Sequence, residues 1–162
     1  MNRKKKVLKK ALLYFLSAYI VVTVLAYGIS YAAVLLFKLP SYQDLGVDLF
    51  QDPAFIMTVP YHLLINGLVW VLFSYFFLKS SSTGEQVMKD GLALSVLWLC
   101  VAMVVDWVCF VLIKSPYSLT ARQFYIDYQP WISLTYVILF ISPLISAALL
   151  KKRLLRKNPT AA

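Results

Sequence analysis

The chain has 162 residues, 61% of them hydrophobic and 14% charged, with a mean hydropathy of +0.74. Water-soluble domains do not combine so little charge with so much apolar surface, so a soluble enzyme or binding domain is excluded and a lipid-embedded chain is expected. The formal charge of +9 does not point to nucleic acid, because the basic residues form runs beside apolar segments, a placement that fits membrane topology and anionic lipid.

A crossing of about 30 Å of hydrocarbon takes roughly 20 residues at 1.5 Å each, so this length holds about four spanning helices and short loops. Four apolar runs qualify: 11–37, 54–78, 91–113 and 131–150. The expected fold is all-α: one integral-membrane domain, 1–162, built as a four-helix transmembrane bundle.

The first run follows "MNRKKKVLKK". Its apolar stretch is too long for a signal-peptide core of about 7–15 residues and lacks a small-residue cleavage site, so it is expected to remain as the first helix. Next comes "SYQDLGVDLFQDP", where Asp44, Asp48 and Asp52 recur every four residues beside Leu45 and Leu49. That pattern predicts a short interfacial helix with a solvated acidic face. A divalent-cation site on the same carboxylates is the weaker alternative, since the spacing is not the alternating one of a calcium loop and Gly46 weakens the helix.

The second run starts after Pro53 and carries Pro60 in its first two turns. A polar turn, "SSSTGEQ", links it to the third run, which contains both cysteines, Cys100 and Cys109. Nine residues separate these thiols by about 13 Å along a helix, so they cannot bridge each other. No redox pair or zinc quartet exists, and a single histidine cannot supply two axial haem ligands, so no cofactor is expected. "SLTARQFYIDYQPW" then predicts a short interfacial helix with Thr120 as N-cap and Gln123 closing a capping box. The fourth run follows Pro130 and contains Pro143.

Alternating the sides puts 13 lysines and arginines on one face and 3 on the other. The positive-inside rule then places both termini in the cytoplasm of a cell membrane and the two interfacial segments outside. Tyr42, Tyr61, Tyr117, Tyr125, Tyr128 and Trp131 fall near the outer ends of the runs, as an aromatic belt would.

Within the apolar runs the chemistry reduces to His62 and Asn66 in the second and Asp106 in the third. An acid near the middle of a span costs about 2.5–3.5 kcal/mol on insertion scales, so Asp106 needs a partner. Counted from the outer loop ends, His62 and Asp106 come out level, roughly 10–12 Å deep, and successive helices are usually neighbours, so a His62–Asp106 pair is expected. Asn66, one turn deeper on the face of His62, would then draw on two polar stripes. One is Tyr19, Thr23, Tyr27 and Ser30 in the first run; the other is Thr135, Ser142 and Ser146 in the fourth. Around Asp106, Ala102 and Cys109 share its face, Gly67 offers a further close approach, and Trp107 points to lipid or the rim.

The candidate binding or proton-switch set is therefore His62, Asn66, Asp106, Tyr27 and Thr135. It suits a non-enzymatic, transporter-like or accessory subunit that would dimerise or join a larger membrane partner, with anionic lipid at its basic termini. An intramembrane enzyme acting on a lipid-linked substrate, with His62 as base and Asp106 orienting it, is one alternative. A structural assembly factor is the other.

Overall fold

The computed structural model describes residues 3–40, 52–82, 86–113 and 118–157. Within them lie four helices long and apolar enough to cross a membrane, and no strand. We label them α1 (Arg3–Phe37), α2 (Pro53–Ser81), α3 (Val87–Asp106) and α4 (Trp131–Lys157). The expected all-α four-span bundle is the observed one.

The chain runs up and down, so both termini share one end of the bundle. At that terminal end the Lys10 Nζ donates to Ser80 Oγ at 2.9 Å, and an Arg153 Nη donates to the Tyr75 hydroxyl at 2.8 Å. We call the opposite end the far end.

The order of the helices around the bundle is not their order in the chain. α2 packs along α1 and α4, and α3 packs along α4, whereas α2 and α3 meet only briefly. The cause lies in α4, where neighbouring small residues face different partners. Ser146 faces α2: its hydroxyl donates to the Val71 carbonyl at 2.8 Å and meets the Ser74 hydroxyl at 2.7 Å. Ala147, about 100° further round, faces α3. A Cβ on Gly91 would stand 2.6 Å from the Ala147 Cβ and 3.2 Å from the Pro143 carbonyl oxygen, so only glycine admits this approach. Gly67, by contrast, would meet nothing closer than Ile138 at 3.8 Å, an ordinary contact that does not require glycine.

Where α2 and α3 diverge, rings fill the space. Phe15, Trp70 and Trp98 are buried, with centroids 5.4 Å apart for Phe15–Trp70 and Trp70–Trp98 and 6.2 Å for Phe15–Trp98. The Trp98 indole N–H is satisfied by the Ala11 carbonyl at 3.1 Å. α1 is the least covered of the four: 6% of its most apolar stretch is buried, against 28–33% for the other three helices.

Caps fix the far-end starts. Asp52 is the N-cap of α2, its Oδ1 accepting from the Ala54 N–H at 2.9 Å beside the positive end of the helix dipole. The predicted capping box is present: Gln123 Oε1 accepts from the Thr120 N–H at 2.9 Å, and Thr120 Oγ1 accepts from the Gln123 N–H at 3.2 Å. It opens a short helical segment whose second part, Gln123–Asp127, is π-wound. The interfacial helix predicted around Asp44 and Asp48 lies outside the described residues.

Candidate functional site

α3 stops being an α-helix at Asp106. The next six residues, Trp107–Leu112, continue as a π-helical turn, closed by the Ile113 N–H donating to the Val108 carbonyl at 3.0 Å. Such i→i+5 turns take fewer degrees per residue than an α-helix and occur often at functional sites. The changed winding carries Cys109 off the buried face, and it is exposed while Ala102, one turn before Asp106 in the α-helical part, is buried.

Asp106 is 8% exposed and holds three helices together. The Tyr19 hydroxyl on α1 donates to its Oδ1 at 2.6 Å, and the Tyr136 hydroxyl on α4 donates to its Oδ2 at 2.9 Å. Both oxygens are thus engaged by neutral donors, and no cationic side chain among the described residues pairs with the carboxylate.

Further rings roof this clasp at the far end. Tyr125 approaches Tyr136, and Tyr128 lies within electrostatic range of Asp106. Trp107 stacks on Tyr125 at 6.0 Å, and Phe110 stacks on the buried Phe124 at 5.5 Å. Trp107 is therefore a rim residue, as expected. Tyr128 lies outside the spans; burial pushes its hydroxyl well above the ordinary tyrosine range, and the Asp106 charge adds to that.

His62 belongs to a different cluster. Its Nε2 meets Ser30 Oγ at 3.2 Å, and the ring also faces the Ala26 carbonyl. Ser30 Oγ lies 3.2 Å from Thr58 Oγ1, and Thr58 gives its own proton to the Ala54 carbonyl at 2.7 Å. Ser30 can therefore donate to Thr58 while accepting from the imidazole.

The expected His62–Asp106 pair does not form: each group takes its partners from other helices. Asp106 is held at the level of Tyr19, whereas His62 sits between Ala26 and Ser30, seven to eleven residues further along α1, about 10–16 Å at 1.5 Å per residue. Equal counts from the loop ends did not mean equal depth. Tyr19 lies 18 residues before the end of α1, while Asp106 lies six before the end of its π-helical turn. What links the two clusters is a run of rings, with Tyr128 against Phe55 at 5.5 Å and Phe55 against His62 at 5.7 Å.

Asn66 needs no other helix. Its Nδ2 donates to the His62 carbonyl at 2.9 Å, and its Oδ1 accepts from the Trp70 indole at 3.1 Å. Tyr27 lies two turns beyond Tyr19 on α1 with much of its surface exposed, and Thr135 is partly buried beside Tyr136. Asp52 serves as a helix cap, and Asp44 and Asp48 lie outside the described residues. Among the described residues, no three metal-ligating side chains gather.

Reasoning from sequence missed Tyr136. The signal was present, since it sits next to Thr135 on a helix whose inward stripe was recognised, but a phenol at that position reads as lipid-facing packing. Comparison with known families, curated proteins and solved structures finds no match.

Proposed function

We propose that the chain is a non-enzymatic subunit of a cell membrane, transporter-like or accessory to a larger partner, with both termini cytoplasmic. Its working element is the clasp of Asp106 with Tyr19 and Tyr136, facing the outer leaflet. The observation that carries this reading is a carboxylate inside a span, bonded by two neutral hydroxyls from two other helices. A lone anion at such depth costs several kilocalories per mole as mere glue, about 2.5–3.5 on insertion scales.

Proton uptake removes that charge and rearranges the bonds. A neutral carboxyl carries its proton on one oxygen, which weakens that oxygen as an acceptor for the tyrosine it meets. Because the clasp joins α1, α3 and α4, a proton arriving from the far end changes how firmly those helices are held. α1 is the natural moving part, being the least buried of the four. Its exposed length also leaves room for a second copy or a larger membrane partner, and anionic lipid suits the basic termini.

The enzymatic alternative requires His62 as base with Asp106 orienting it, and their separate partners count against that assembly. The test is infrared difference spectroscopy on the reconstituted protein over about pH 4–9, the range in which buried carboxyls titrate. A carboxyl C=O band that comes and goes with pH and is missing in Asp106→Asn is the expected result. Absence of any such band would make the clasp static and leave the assembly-factor reading in its place.

A further inference from the structure

Away from the clasp, a shallow, open groove runs down the exposed side of α3, lined by Lys89, Leu92, Ala93, Val96, Leu97 and Cys100. From this groove we infer a discrete binding site for one anionic phospholipid, its phosphate on the Lys89 ammonium and one acyl chain lying along the apolar floor.

Depth and charge select this occupant. Lys89 is the third residue of α3, at the terminal end of the bundle, where a headgroup would sit. Cys100 is eleven residues further on, about 16 Å deeper at 1.5 Å per residue, which is half of the roughly 30 Å hydrocarbon core. The groove therefore runs from headgroup level to the midplane, the depth of one leaflet and of one acyl chain. Its polar character is confined to one end, and that polar group is a cation. A partner helix would call for apolar contact along the whole length, whereas a lipid presents an anion at one end and hydrocarbon along the rest. Among the described residues no carboxylate pairs with Lys89. The basic termini attract anionic lipid diffusely; this site would hold one molecule at a fixed place on α3.

The test is native mass spectrometry of the full-length protein released from detergent containing either phosphatidylglycerol or phosphatidylcholine. The expected result is one retained phosphatidylglycerol per chain and no matching phosphatidylcholine. Lys89→Gln should weaken retention about fivefold, the effect of one basic residue at a charged headgroup layer, and Lys89→Arg should restore it. Ala93→Phe, which fills the groove but keeps Lys89, should also lose the lipid. Both positions are exposed, so neither change disturbs the packing. Equal retention of the two lipids would overturn the site, as would full retention in Lys89→Gln or in Ala93→Phe. Asp106→Asn should leave lipid retention unchanged, which keeps this result separate from that of the proton clasp.

Discussion

The two ends of the bundle are built by different rules. At the terminal end the helices are regular and the contacts between them tight. Gly91 lets α3 close on Ala147, and Ser74 and Ser146 bond across α2 and α4. At the far end the winding turns π at two places, and the carboxylate, the imidazole and most of the cross-helix phenol chemistry collect there. In a bilayer the lipid tails are as apolar as the side chains, so close backbone approach and small-residue packing must supply the association energy. The terminal half supplies it. That leaves the far half able to tolerate a buried acid and irregular winding, features that cost stability and are kept where something must move.

The largest effect should therefore come from the terminal half. Gly91→Leu must push α3 off α4, and a clash at backbone level costs about 1–3 kcal/mol or more. Detergent unfolding of the purified protein, followed by its helical signal, should show the loss. If Gly91→Leu is tolerated, the approach at Ala147 is not what holds α3. Next comes Ser146→Ala, which removes the bond to the Val71 carbonyl and leaves Ser74 without its cross-helix partner. Interhelical bonds of this kind contribute about 0.6–2 kcal/mol, and the same unfolding measurement should register that range.

This asymmetry also explains what could be read from the sequence. The four spans were legible because twenty apolar residues in a row have one physical meaning, and the capping box because Thr120 and Gln123 satisfy each other locally. Ser142 and Ser146 were legible as an inward stripe because spacing alone puts them on one face. The pairing of helices was not legible. It depends on which side of α4 accepts α2 and which accepts α3, a matter of Ser146 against Ala147 that no hydrophobic pattern encodes. Adjacency in the chain is then the only guide to adjacency in space, and it matches His62 to Asp106. The π-helical turn was hidden for a similar reason: nothing in "DWVCFVL" forbids an ordinary α-helix.

At the far end the individual bonds should matter less to stability than to function. Tyr19→Phe or Tyr136→Phe each strips one donor from Asp106 and should cost about 1 kcal/mol, less than the Gly91 change. Each should also alter the carboxyl band, because the carboxylate form loses one of its two hydrogen bonds. Thr23→Ala is the control. Its hydroxyl bonds only the Tyr19 carbonyl one turn back, and the band should stay in place.

The smallest expected effect decides most about the site. Groups more than about 7–10 Å apart with no shared partner add independently to within roughly 0.3–0.5 kcal/mol. His62 and Asp106 are offset along α1 and bond to different residues, so a double-mutant cycle of His62→Ala with Asp106→Asn should give a coupling inside that error. The matching cycle of Tyr19→Phe with Asp106→Asn should give about 1 kcal/mol, since Tyr19→Phe removes the bond and Asp106→Asn removes the charge that strengthens it. The comparison is internal: one carboxylate and two candidate partners, Tyr19 on α1 and His62 on α2. A large coupling to His62 with none to Tyr19 would restore the acid–base pair that an enzyme would need, and would take the clasp with it. The opposite outcome leaves Asp106 as a group whose proton is governed by two phenols, which fits the opening and closing of a helix contact better than the activation of a nucleophile.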